Sequence, residues 1–138
     1  ISFTSDEGVR GVAHAGWKGL ADGVIAATAG AMRTLGASGI EAALGPCIHP
    51  SCYEFSPGDL DLVADRLGDH VRSATTDGRP ARDLPGAVRR AIADAGVRLV
   101  EDVARCTACD VDAEGQPRWF SHRARADESR QALVQWTD

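Results

Sequence analysis

The chain has 138 residues, of which 43% are hydrophobic, and a formal net charge of −5. That length can bury one core, so we expect residues 1–138 to form a single domain. The acidic balance and the dispersed basic residues argue against a nucleic-acid or anionic-membrane partner, and no apolar run approaches the roughly 20 residues that span a bilayer. We therefore expect a cytoplasmic protein.

The first third of the chain predicts two short strands, a helix and a buried strand. Residues 2–8 predict a strand end that runs into a turn, and residues 9–15 predict a second strand. Apolar residues then recur at three- and four-residue spacing, which predicts one helix of about 17 residues that ends at Gly36. Residues 40–44 predict the buried strand. The apolar residues of the helix are Leu20, Val24, Ala27, Ala31 and Leu35.

The rest of the chain predicts two capped helices and several strands. Ser56 followed by proline predicts a helix over 57–67, and residues 73–82 predict a polar turn. Asp83 is expected to cap a second helix that ends at Gly96. Three further strands are predicted. They lie at residues 97–103, 119–123 and 131–136.

The order of these elements mixes helices and strands without a strict alternation. Such an order predicts an α+β fold, in which mixed β-sheet layers are covered by helices.

The segment from His14 to Gly19, with the sequence HAGWKG, follows a predicted strand and opens a predicted helix. Small residues flank the imidazole, and the start of a helix attracts anions, to which Lys18 adds a full charge. His14 could therefore ligate a metal while Lys18 holds an anion. The alternative is a hydrogen-bonded core histidine beside a glycine that turns the chain.

Four cysteines include a C-x-x-C pair, Cys106 and Cys109. Structural zinc sites usually combine two such pairs, and Cys47 with Cys52 is only a loose match. A thioredoxin-like role would need a helix after the pair, which the sequence does not predict. We therefore expect reduced thiols that act as small buried residues.

Two other polar groups could carry chemistry. The loop over residues 45–55 contains Cys47, His49 and Glu54, which offers a nucleophile and a base, or it is a buried loop held in shape by proline and tyrosine. The run 121–123, with Arg125 and Arg130 beyond it, could bind phosphate through guanidinium groups or form a solvated strand face.

Three longer runs lie in order along the chain and cover nearly all of it: AHAGWKGLADGV, LGPCIHPSCYEF, and CTACD followed by WFSHRARADESRQALVQW. They resemble the YfiH-like laccase-domain family, whose members are also called multicopper polyphenol oxidase-like proteins or peptidoglycan editing factors. The resemblance implies a YfiH-like α/β/α sandwich of which this chain is the C-terminal part, with the N-terminal portion missing.

The resemblance also implies an activity and a metal. Members of the family are similar in cleaving adenosine, inosine and methylthioadenosine with phosphate, and some deaminate adenosine. Their zinc is bound by two histidines and one cysteine. The histidine of the HAGW motif matches His14, whereas the other two ligands belong to Q-V-H-G and A-D-C segments that this sequence does not contain. His14 is thus the expected metal ligand, and the missing N-terminal half is an expected partner.

The expected ligands of the whole protein are a purine nucleoside and phosphate. Phosphorolysis requires an anion pocket beside the ribose, and we take Lys18 and Arg123 as the residues that bind phosphate. Two departures from the family pattern weaken the match, because Lys18 replaces the usual arginine and Ser129 stands where a glycine is common. A lysine keeps the charge but loses a bidentate contact.

Two other functions stay open. Oxidation of phenols with copper is one, but multicopper oxidases use paired histidines, and the histidines of this chain are isolated. The other is a non-catalytic fragment or a role in editing cell-wall precursors.

Overall fold

The computed structural model describes residues 1–136. Six strands, β1 to β6, and five helices, α1 to α5, are present in this part of the chain, together with two short 3-10 turns at Pro50–Cys52 and Asp69–Val71. In chain order the elements are β1 Ser2–Ser5, β2 Arg10–Val12, α1 Trp17–Ala21, α2 Val24–Thr34, β3 Ile40–Leu44, α3 Pro57–Leu67, β4 Arg72–Ala74, β5 Pro80–Arg82, α4 Leu84–Asp94, β6 Arg98–Asp102 and α5 His122–Arg125.

The chain divides into two compact units. Unit 1 contains Ile1–Gly45, Val88–Val103 and the described residues from Leu133 onward, and unit 2 contains Pro46–Ala87 and Ala104–Ala132. The mixture of helices and sheets confirms the predicted α+β class, while the single domain over residues 1–138 stays a prediction. Within residues 1–136 no helix is long and apolar enough to cross a membrane.

Unit 1 is built on a four-stranded sheet in the order β2-β1-β3-β6. Strand β1 pairs antiparallel with β2 and β3, and β3 pairs parallel with β6. Phe3 and Ala42 face each other across β1 and β3 and are almost completely buried. Helix α2 approaches β2 so closely that a Cβ on Gly11 would lie 3.1 Å from Sδ of Met32.

The single helix predicted after His14 is wrong, because the chain forms two helices there. Gly23 adopts φ 78° and ψ 29°, a left-handed conformation that interrupts the hydrogen bonds between α1 and α2. Only glycine adopts this conformation at little cost, and apolar spacing alone did not reveal it. Gly36, with φ 98°, follows the end of α2 as predicted.

Unit 2 contains α3 and the β4–β5 hairpin. The Oγ atom of Ser56 accepts a hydrogen bond from the N–H of Asp59 at 3.1 Å, which confirms the predicted cap of α3. The predicted polar turn over 73–82 is wrong in part, because its ends pair as strands around the turn at Gly78. Ala81 in β5 is fully buried, although the segment as a whole is polar.

The strands predicted at 119–123 and 131–136 are wrong. The first segment leads into the short helix α5, and the second has no regular secondary structure. Side chains, rather than a neighbouring strand, satisfy the backbone here: the N–H of Phe120 donates to Oε1 of Gln131 at 3.0 Å, and the N–H of Ser121 donates to Oδ2 of Asp127 at 2.7 Å. Such local bonds compete with a strand ladder.

Candidate functional site

His14 lies in the connection between β2 and α1 and is exposed. The backbone before it is fixed, because the N–H of Ala13 donates to the carbonyl of Ile1 at 2.9 Å. The imidazole therefore lies outside the core of this chain.

The glycines of the HAGWKG segment make room for His14. A Cβ on Gly16 would lie 2.8 Å from Nε2 of His14, and a Cβ on Gly19 would lie 3.2 Å from its carbonyl oxygen. Gly16 itself has φ −64° and ψ 163°, which any residue can adopt. The glycine is therefore required by the position of the imidazole rather than by the backbone angle.

Lys18 is exposed at the start of α1, and its Nζ lies 5.5 Å from the centroid of the Trp17 ring. The anion-attracting helix start predicted for this segment is not supported, because α1 has only 5 residues. The partial charge at a helix end comes from aligned peptide dipoles, and a helix this short aligns few of them. Attraction of an anion would depend on the Lys18 charge itself.

Arg123 belongs to α5 in unit 2 and contacts the loop that precedes α3. Its guanidinium donates to the carbonyl of Glu54 at 3.1 Å and lies 5.6 Å from the Tyr53 ring centroid and 5.1 Å from that of Phe55. These are stabilising cation–π contacts. Phosphate binding by Arg123 stays a prediction.

The neighbouring arginines, Arg125 and Arg130, donate to backbone carbonyls and, in the case of Arg125, also to a carboxylate. Arg125 donates to the carbonyl of Ala108 at 2.8 Å and to Asp127 at 2.9 Å, and Arg130 donates to the carbonyls of residues 127–129. Donors of both guanidinium groups are thus already used within the chain, and phosphate binding by this run of arginines stays a prediction. These two side chains stabilise the irregular segment that carries them.

The loop over residues 45–55 is held in shape by its own aromatic residues. Tyr53 and Phe55 are buried and pack edge to face with their centroids 4.9 Å apart. Glu54 pairs with Arg79. This arrangement favours a shape-determining loop over a Cys–His catalytic pair.

The three sulfur atoms of Cys52, Cys106 and Cys109 lie within 4.8 Å of one another. The expectation of ordinary buried thiols holds only for Cys106, because Cys109 is exposed and Cys52 is half-buried. Sequence spacing alone could not find this group, since Cys52 is distant in the chain from the C-x-x-C pair. The C-x-x-C motif was the one signal that pointed to it.

The pKa values of two of these thiols differ in direction. Burial raises the pKa of Cys106, but N–H donors from His49, Ala108 and Cys109 outweigh it, so the pKa lies below its usual value. Partial desolvation, together with the neighbouring Cys52 and Cys106 thiols, raises the pKa of Cys109 to about 12. Negative charge on one thiol thus opposes ionisation of the next.

No comparable group of metal-binding side chains surrounds His14 among residues 1–136. The structure brings no further pair of His, Cys, Asp or Glu donors to it, and the one metal-compatible group in this part of the chain is that of the three cysteines. A catalytic zinc site relies on three protein ligands. The residues of this chain alone therefore do not complete a zinc site at His14.

Comparison with known proteins identifies relatives along the whole chain. The model of a family described as multi-copper polyphenol oxidoreductase laccase matches residues 1–138. A protein named purine nucleoside phosphorylase from Mycobacterium tuberculosis is 32% identical over 133 residues, and one from Streptomyces griseus is 35% identical over 133 residues. Each of these alignments covers 95% of this chain and, respectively, 50% and 51% of the relative.

A solved structure shares the fold. The crystal structure of the hypothetical protein YfiH from Bacillus licheniformis superimposes with a TM-score of 0.71 and 28% identity, over 89% of this chain and 48% of that one. The chain thus spans about half the length of the relatives that it matches. Because the family model covers every residue and the fold agrees, the chain belongs to the YfiH-like laccase-domain family.

Proposed function

We propose that this chain is part of a zinc-dependent purine nucleoside phosphorylase that acts on adenosine, inosine or methylthioadenosine, with deamination of adenosine as a second activity. The observation that carries the proposal is the identity of 32% and 35% to proteins named purine nucleoside phosphorylase, over 95% of this chain. Since the chain spans half of those relatives, the proposal concerns a protein that also supplies the other half.

Phosphorolysis joins a phosphate oxygen to C1′ of the ribose and breaks the bond between C1′ and the purine nitrogen. The base leaves with the bonding electron pair and takes up a proton. The site must therefore hold a phosphate anion next to C1′, which positively charged donors do best. We assign this role to Lys18, whose ammonium is exposed, and to Arg123, whose contact with Glu54 uses only part of the donor capacity of its guanidinium.

His14 is proposed as one zinc ligand of the whole protein. Its exposure and its position over Gly16 support this role. A zinc with an open coordination position supplies hydroxide near neutral pH, which is the chemistry that deamination of adenine uses. The other ligands would come from the half of the protein that this chain does not contain.

Product analysis of the longer protein tests the proposal. Incubation with inosine or adenosine should release free base and ribose 1-phosphate in the presence of phosphate, and little base in its absence. Replacement of His14 by alanine should abolish this activity, whereas Cys106→Ser combined with Cys109→Ser should retain it. A metal-replete protein that releases no base under either condition would contradict the proposal.

The family description favours a second candidate, oxidation of polyphenols. A parallel assay with a phenolic substrate and added copper separates the two activities.

Residues 1–138 alone should hold no zinc on His14 and should show negligible phosphorolysis, because one imidazole cannot replace a set of three ligands.

A further inference from the structure

The C-x-x-C turn of unit 2 has a well-fixed backbone. The N–H of Cys47 donates to the carbonyl of Arg105 at 3.2 Å, and the N–H of Thr107 donates to the carbonyl of Cys47 at 3.0 Å. The N–H of Asp110 closes the turn on the carbonyl of Cys106 at 3.0 Å. These bonds hold the segment that carries Cys106 parallel to the segment that carries Cys47.

The sulfur of Cys106 lies at the centre of several N–H donors. The N–H of His49 donates to it at 3.3 Å, and the N–H groups of Ala108 and Cys109 also point to it. These N–H groups hold the Cys106 sulfur in one position, beside the sulfur atoms of Cys52 and Cys109.

Cys52 reaches the same point from the 3-10 turn at Pro50–Cys52. Its N–H donates to the carbonyl of His49 at 3.0 Å, and the carbonyl of Ser51 accepts from the N–H of Thr76 at 3.3 Å. The turn is thus attached to the β4–β5 hairpin. These hydrogen bonds fix the backbone that carries the third sulfur.

We propose that Cys52, Cys106 and Cys109 form a zinc site that is independent of the nucleoside site proposed above. Tetrahedral zinc with Zn–S bonds of about 2.3 Å places sulfur atoms about 3.8 Å apart. The sulfur atoms already lie within 4.8 Å of one another, so small side-chain rotations suffice to close the site. Soft thiolates select zinc or Cu⁺ over Mg²⁺ or Ca²⁺.

Three sulfur ligands would leave one position of a tetrahedral zinc open, unlike a closed structural site with four protein ligands. A zinc ion would link the loop over residues 45–55 to the turn over 106–109, both of which belong to unit 2. The fourth position would be taken by water, since Cys109 is exposed. Zinc also neutralises the repulsion between thiolates that lie this close together.

Metal binding to this chain, purified under reducing conditions, tests the site. Addition of Co²⁺ to the metal-free protein should produce the sulfur-to-cobalt charge-transfer band and the intense visible bands of tetrahedral thiolate coordination, and Zn²⁺ should remove them. Elemental analysis should find about one zinc per chain, and zinc should raise the melting temperature.

Substitutions distinguish zinc binding at these three cysteines from binding at Cys47 or His14. Cys106→Ser and Cys109→Ser should each weaken zinc binding by more than about 100-fold, a loss beyond that caused by removing an outer-shell partner. The matched control Cys47→Ser should leave the cobalt spectrum unchanged, because that sulfur lies outside the group of three. His14→Ala should also leave it unchanged, which distinguishes this zinc from the one proposed for the nucleoside site.

Three outcomes would overturn the proposal. The first is a folded, reduced chain that binds no Zn²⁺ or Co²⁺, with folding checked by circular dichroism and free thiols counted by chemical titration. The second is a cobalt spectrum that survives Cys109→Ser, a variant that should fold because the residue is exposed. The third is a site that takes Cu⁺ in trigonal geometry and rejects zinc.

Discussion

At the scale of single residues, the tightest approach of a side chain to a glycine in the HAGWKG segment is that of the His14 imidazole to Gly16. The missing side chain of Gly16 leaves the space that Nε2 occupies, since a Cβ there would approach it to 2.8 Å. The sequence points to both residues and to small neighbours of the imidazole, and it leaves open the alternative that Gly16 only turns the chain. Only the structure shows that its smallness serves the histidine.

Replacement of Gly16 by alanine should displace the imidazole without unfolding the protein. Its backbone angles suit alanine, so the free energy of unfolding should stay equal or rise by up to about 1 kcal/mol. Phosphorolysis by the longer protein should fall by about 100-fold, because a catalytic group misplaced by about 1 Å loses that much. Steady-state kinetics and urea unfolding measure the two effects.

Gly30→Ala is the matched control. Gly30 lies inside α2, and a Cβ on it would meet nothing within 4 Å. This variant should stabilise the protein by about 0.5–1 kcal/mol and leave activity unchanged. Full activity in the Gly16 variant would contradict a role for His14 at this position.

At the scale of elements, the turn between β1 and β2 is attached to the connection between α2 and β3. Hydrogen bonds from Ser38 to the carboxylate of Glu7 lower the pKa of Glu7 from 4.5 to about 2. Because the folded pKa lies below the ordinary value, this contact stabilises the fold above about pH 4.5. The stabilisation is lost as the pH falls toward about 2.

Glu7→Gln should therefore lower the urea midpoint at pH 7 and have a smaller effect at pH 3. Ser38→Ala, which removes the donor, should reproduce the loss at pH 7. Urea titrations of the three proteins at both pH values provide the test. Equal effects of Glu7→Gln at the two pH values would show that the carboxylate charge is not responsible.

Elements with strong local signals were predictable from the sequence. Ser56 before a proline located α3, and the apolar run at 40–44 located β3 to the residue. The break at Gly23 was missed, because apolar spacing continues through it. The C-terminal strands were predicted wrongly, since Gln131 and Asp127 satisfy backbone donors that a strand would have offered to a neighbour.

The candidate site was predictable only where neighbours in sequence are neighbours in space. His14, Lys18 and the C-x-x-C pair were found for that reason. Cys52 joins the pair through backbone pairing between distant segments, of which the bridge between Cys47 and Cys106 is a part. Long-range pairing of this kind leaves no periodic pattern in a single sequence.

At the scale of the whole molecule, the chain passes between the two units after residues 45, 87, 103 and 132. Neither unit is a continuous segment, and helix α4 contributes residues to both, so unfolding of either unit removes part of a helix that the other uses. We predict one cooperative unfolding transition, as expected for the single domain predicted from the sequence. Circular dichroism, tryptophan fluorescence and calorimetry should give coincident midpoints, whereas two resolved transitions would contradict the prediction.

The parallel pairing of β3 with β6 has a consequence for how the chain folds. Glu41 lies opposite Arg98, and the intervening residues include the whole of α3, the β4–β5 hairpin and α4. The entropy of closing so long a loop must be overcome before the pairing contributes any stabilisation. The antiparallel β1–β2 hairpin can form early because it is local, whereas β6 should join the sheet late and slowly, and the outer edge of β3 stays exposed to other chains until it does.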